Sequence, residues 1–129
     1  EELAEGRVNE ANLDQVVAAQ AAAVTSPWFR YFLTYEPGDA LERVQVPVLA
    51  INGEKDLQVP HEQNLSAIGA ALERGGNQDF ELHALPDLNH LFQHAESGSP
   101  SEYGAIEETW APSAMELMSD WIWKTVRRP

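Results

Sequence analysis

An acid and a histidine each follow an apolar run in this sequence. Asp56 stands in Gly53-Glu54-Lys55-Asp56-Leu57-Gln58-Val59-Pro60, just past the run Val46-Pro47-Val48-Leu49-Ala50-Ile51-Asn52. His90 stands in Leu85-Pro86-Asp87-Leu88-Asn89-His90-Leu91-Phe92, just past Phe80-Glu81-Leu82-His83-Ala84-Leu85. A carboxylate within reach of an imidazole fixes its tautomer and stabilises the imidazolium; the imidazole can then take a proton from a nucleophile. Other readings compete at each position. Asp56 could instead cap a helix starting near Pro60 or stabilise its turn. Glu54 is a second candidate for the acid. Asp87, three residues before His90, has only local reach. His83, inside a predicted strand, and His61, near a helix start, read as structural. His90 and His94 are four apart with Glu96 nearby, a spacing that could set two metal ligands on one helix face. The metallopeptidase pattern, however, needs Glu directly after the first His, where Leu91 stands. His61-Glu62 begins like that pattern, but Leu65 occupies the place of its second His. The expectation is catalysis without a metal.

The elements that must position Asp56 and His90 follow from periodicity and turn residues. Residues 46–53 form a continuous apolar run bounded by turn signals, the mark of a strand buried on both faces in a parallel sheet, with Pro47 at its start. Residues 60–74 predict a helix with Leu65, Ile68, Ala71 and Leu72 on one face, ended by Gly75-Gly76-Asn77. Residues 80–85 alternate and predict a second strand; 89–94 read as a loop or a short helical piece. Residues 112–126 predict a closing helix with Leu117, Met118, Trp121 and Ile122 on its apolar face. Upstream, 13–24 is rich in Ala, Val and Gln and reads as a helix with Asn12 as N-cap, ended by Thr25-Ser26-Pro27. Residues 28–35 (WFRYFLTY) carry five aromatics in eight positions. Glu36-Pro37-Gly38-Asp39 is a turn, with Asp39 as the cap of a short helix to about Val44.

The order helix, strand, helix, strand, helix is an α/β pattern with a parallel crossover. Active sites in such sheets form beyond the carboxyl ends of the strands, where both Asp56 and His90 fall. Two strands alone make a poor sheet, and residues 48–51 are too apolar for a comfortable edge. A second copy or a further portion of chain is therefore expected to complete the sheet.

Composition narrows the function. The chain has 129 residues, 43% hydrophobic and 22% charged, enough for a globular core. Twenty-one acids against 8 bases give a net charge of −13, shared about equally by the two halves. Nucleic acid is a poor partner for such a surface, because phosphate binding needs clustered Lys and Arg. Lys124, Arg127 and Arg128 make the one basic cluster, read as complementing the end of the last helix. No apolar stretch approaches the length of a membrane span, and no basic leader region opens the sequence. The absence of cysteine removes disulfides, thiolate zinc sites and Cys nucleophiles together. The compartment is left open.

PVLAINGEKDLQVP followed by LPDLNHLFQ is similar to the C-terminal half of α/β-hydrolase esterases of the dienelactone-hydrolase-like group. In those enzymes one strand ends in Gly-x-x-Asp, often with Val-Pro after it, and the last strand leads into a loop with the catalytic His. The chain order in that fold is Ser, then Asp or Glu, then His. By this resemblance Asp56 corresponds to the triad acid and His90 to the triad base. Ser26-Pro27-Trp28-Phe29, with Tyr31 and Phe32, resembles the segment by which a cap returns to the core. Glu102-Tyr103 and Trp121-Ile122 resemble the approach to the terminal helix. The resemblance, over about residues 26 to 126, implies the C-terminal portion of an α/β-hydrolase fold: residues 1–36 as a cap or lid remnant and 37–129 as core. It also implies a small acyl ester as substrate and no metal or organic cofactor. Trp28, Phe29, Phe32, Leu57 and Leu91 are candidates for lining an acyl pocket.

One departure matters. The Gly-x-Ser-x-Gly nucleophile turn is absent; Gly98-Ser99-Pro100-Ser101 comes nearest, but Pro holds position 100 and no Gly follows at 102. The expectation is a serine hydrolase fragment whose Ser and oxyanion segment lie N-terminal of Glu1, inactive by itself. The alternatives are a noncatalytic binding or dimerisation module, or one half of a split hydrolase or peptidase.

Overall fold

The computed structural model describes residues 13–127. They divide into two compact units, within Glu1–Glu36 and Pro37–Pro129. The expected cap residue Asn12 lies outside the described residues.

The first unit holds α1 (Leu13–Val24) and α2 (Pro27–Thr34). Ser26 caps α2, its hydroxyl accepting from the Phe29 N–H at 3.2 Å, and Pro27 takes the first helical position, where its missing N–H is no loss. The aromatic run therefore winds into a helix. Its i, i+4 spacing stacks Trp28 on Phe32 with ring centroids 5.6 Å apart, and Phe29 tilts against both.

The second unit begins with α3 (Pro37–Leu41), continues through β1 (Val48–Gly53), α4 (His61–Arg74) and β2 (Phe80–Leu85), and closes with α5 (Pro112–Val126). Asp39 is not the cap of α3. It sits in the first turn of that helix, which Pro37 opens because its fixed φ suits the first helical residue. β1 starts at Val48 rather than at Val46, since Pro47 has no N–H to give to a ladder. β1 and β2 pair in parallel from Val48↔Phe80 to Gly53↔Leu85, connected through α4.

Side-chain alternation on β2 assigns the helices to faces. Gly69 of α4 lies against Leu82 and Phe80, whereas Lys124 of α5 reaches Glu81 at 2.8 Å. Residues 81 and 82 point to opposite faces, so α4 and α5 cover the two sides of the sheet. On the α4 side, Leu65, Gly69, Ala71 and Leu72 are buried and Ile68 half-buried. On the other side, Leu88, Ala111 and Ala114 form a small core joined by Leu85 and Phe92. Gly76 ends α4 with φ +81°, a conformation glycine adopts without strain. Asn77, nearly fully buried, then donates to the carbonyls of Val44 and Val46, tying the helix end to the approach to β1. Among the described residues the sheet has two strands, and no helix is long and apolar enough to cross a membrane. The architecture is part of an α/β fold.

Candidate active site

Asp56 and His90 come together beyond the carboxyl ends of β1 and β2. His90 Nδ1 lies 2.8 Å from Asp56 Oδ2. An ionised carboxylate only accepts hydrogen bonds, so Nδ1 carries the proton and, in the neutral ring, Nε2 keeps its lone pair. Among the described residues Nε2 makes no hydrogen bond. The carboxylate side chain is 5% exposed and the imidazole 39% exposed, an anchored acid holding a base that reaches outward.

The two oxygens of Asp56 have different partners. Oδ1 accepts from the backbone N–H groups of Gln58 and Val59 at 2.9 and 2.8 Å, which shapes the turn before α4. Oδ2 takes the imidazole. Burial pushes the carboxyl up, but the Val59 N–H, the His90 ring and the Gln58 N–H together outweigh it and hold the group below its ordinary value near 3.8. A depressed folded-state value stabilises the fold fully above the ordinary value, and that contribution disappears as pH falls through the lower one. The urea midpoint of the wild type should therefore drop below about pH 4 more steeply than that of Asp56→Asn, the gap between them narrowing with acidity. A gap constant from pH 6 to pH 3 would contradict this.

The two loops that carry the pair are braced against each other. The N–H groups of Glu54 and Lys55 donate to the carbonyls of Leu85 and Leu88, each at 2.9 Å. Lys55 Nζ reaches the Ala95 carbonyl and the Asp87 carboxylate, both at 2.8 Å. Gly53 makes this approach possible, because a Cβ there would stand 2.2 Å from the Leu88 carbonyl oxygen.

The His90 loop is further organised by Asn89, which is fully buried. Its Oδ1 accepts from the N–H groups of Leu91 and Gln93 at 2.9 and 3.0 Å, and its Nδ2 donates to Gln93 Oε1 at 3.1 Å. Phe92 is held at φ +57°, an uncommon conformation for a bulky residue. Its N–H bonds the Asn89 carbonyl, its own carbonyl accepts from Ala111, and its ring meets Trp110 edge-on at 5.2 Å. Asn89→Ala should lower stability by about 2–3 kcal/mol, since it leaves buried donors unsatisfied. Urea denaturation measures this; a loss under about 0.5 kcal/mol would show the loop to be held by other contacts.

The other sequence candidates are placed differently. Glu54 is exposed, and Asp87 pairs with Lys55. His94 turns away from His90 to Glu108, which receives its backbone N–H at 2.7 Å and lies 3.0 Å from its Nδ1. His83 pairs with Glu81. Leu57 and Leu91 are 62% and 40% exposed beside the pair. Trp28, Phe29 and Phe32 belong to the first unit. A cavity of about 210 Å³ at the pair is lined by Ile51, Asn52, Val59, Asn64 and Phe92 with Asp56 and His90. The contribution of Asn52, Asn64 and Asn89 was not legible from spacing. A lone polar residue at the end of an apolar run, Asn52, and another immediately before the histidine, Asn89, were the available signals.

Among protein families, the model of the prolyl oligopeptidase family matches residues 14–113. The chain belongs to the prolyl oligopeptidase family. This is an α/β-hydrolase family, in agreement with the partial α/β architecture and with a serine hydrolase lineage. The match includes Asp56, His90 and both loops that hold them in this prolyl oligopeptidase family member. No curated protein and no solved structure matches the chain.

Proposed function

We propose that this chain supplies the acid and base of a Ser-His-Asp acyl-transfer site. The observation that carries the reading is the 2.8 Å contact between His90 Nδ1 and a buried carboxylate, with Nε2 unengaged among the described residues. In the mechanism, a serine hydroxyl attacks the substrate carbonyl and His90 Nε2 takes its proton. The tetrahedral intermediate collapses as the imidazolium returns that proton to the leaving group. Water then repeats the sequence on the acyl-enzyme and releases the acid. Asp56 keeps the imidazole in the required tautomer and stabilises its charged form. The sequence has no Gly-x-Ser-x-Gly turn, so the nucleophile and the oxyanion donors are assigned to protein outside these residues, as are the further strands of the sheet. Residues 1–36 are assigned to a cap.

Two substrate classes fit this chemistry. The paired motifs around Asp56 and His90 favour a carboxylic ester, by likeness to dienelactone-hydrolase-like enzymes. The prolyl oligopeptidase family match favours a peptide bond, whose amine leaving group depends on protonation by His90. The protein expressed from the full reading frame should be phosphonylated on one serine by a fluorophosphonate, and His90→Ala should abolish the labelling. Parallel assays on a p-nitrophenyl ester and a peptide anilide separate the substrate classes. Failure of the wild type to label, or full labelling of His90→Ala, would overturn the mechanism.

A further inference from the structure

The oxygen of Asp56 that meets His90 has a second partner. Asn52 is the penultimate residue of β1, facing Ala84 across the ladder, and is 4% exposed. Its Nδ2 lies 3.1 Å from Asp56 Oδ2 and 3.2 Å from the Val59 carbonyl. Its Oδ1 accepts from Asn64 Nδ2, on α4, at 2.7 Å. The amide orientation follows from these partners: a flipped Asn52 would set its carbonyl oxygen against two acceptors.

We infer that Asn52 is a positioning residue for the hydrolytic pair: its buried amide, itself aimed by Asn64, fixes the Asp56 oxygen that grips His90. This rests on the acyl-transfer reading above and identifies the groups that hold its acid in place. The torsion that turns a carboxylate is soft and roughly two-fold. The N–H groups of Gln58 and Val59 hold Oδ1 from the loop side. Without Asn52, Oδ2 would be steered by His90 alone, the group it has to steer. Because Asn52 belongs to the strand and Asn64 to the helix packed on it, the carboxylate takes its bearing from the rigid part of the fold rather than from its own loop. The amide also donates to the charged form of Asp56, lowering its affinity for a proton. The neighbouring charged groups are engaged elsewhere, Lys55 with Asp87 and the Ala95 carbonyl, and His94 with Glu108.

The test uses Asn52→Leu and Asn64→Ala in the protein expressed from the full reading frame, with wild type and His90→Ala alongside. In Asn52→Leu, kcat should fall about 10-fold or more with KM within about twofold, the pattern of a misaligned base rather than lost substrate contact. The Asp56 carboxyl, followed by carbon NMR, should titrate at higher pH than in wild type, and Asn64→Ala should move it the same way by less. A purely structural Asn52, pinning only the Val59 carbonyl, would lower the melting temperature and leave that titration where it was. An unmoved Asp56 titration in both variants overturns the inference. If Asn52→Leu does not fold, Asn64→Ala, which leaves β1 intact, decides it. Hydrolysis unaffected by His90→Ala would instead sink the acyl-transfer reading, while the carbon titration would still report whether Asn52 and Asn64 govern the carboxylate.

Discussion

In the protein expressed from the full reading frame, replacing His90 by Ala is expected to lower kcat by about 10⁴-fold or more while leaving the fold intact. The size follows from what the proposed mechanism asks of the imidazole twice in each cycle: to accept the nucleophile's proton and hand it to the leaving group. Among the described residues no other histidine is bonded to Asp56. His94 is tied to Glu108, and His83 pairs with Glu81 on the strand itself. The fold should tolerate the change because the ring is 39% exposed and contributes one hydrogen bond, to Asp56. Asp56 then retains the Gln58 and Val59 N–H groups and the Asn52 amide. Steady-state kinetics on the better of the ester and peptide substrates, with circular dichroism as the folding control, measures the effect. A variant that folds and keeps more than about a tenth of the wild-type kcat would remove His90 from the chemistry.

A large stability effect is expected at Gly53. Gly53→Ala would put a methyl group 2.2 Å from the Leu88 carbonyl oxygen and 2.6 Å from that of Asn89. Its φ is not positive, so space rather than backbone conformation is the issue. The opposing atoms are backbone, and they are anchored: Leu88 accepts from the Lys55 N–H, and Asn89 from the Phe92 N–H. Relief demands that the acid loop and the histidine loop separate by about 1 Å, breaking the bonds between them. The expected loss is about 3 kcal/mol or more, read as a lowered urea midpoint. Because the same separation pulls Asp56 from His90, kcat should fall by about 10²-fold in whatever fraction folds. Full stability with full activity would show that the two loops do not depend on this contact.

The sequence by itself determined the elements and their order. The apolar run ending at Gly53, the alternation of residues 80–85 and the periodicity of 60–74 and 112–126 are local patterns, decided within windows of about ten residues. They led to parallel strands joined by a helix, and hence to an acid and a histidine following neighbouring strands. Boundaries shifted where proline ruled: Pro47 delayed β1, and Pro37 displaced Asp39 from its expected capping role. What only the tertiary structure decided is which polar groups meet. Asp56 serves its turn and the imidazole with different oxygens. Asn52 and Asn64 come together from a strand and a helix, Asn89 disappears into its own loop, and His94 goes to Glu108 rather than joining His90. The physical reason is one of range. Propensity and periodicity act between near neighbours along the chain, whereas a buried amide or carboxylate takes whichever partner the packed backbone brings within about 3 Å, and that is settled only when the strands and helices have docked.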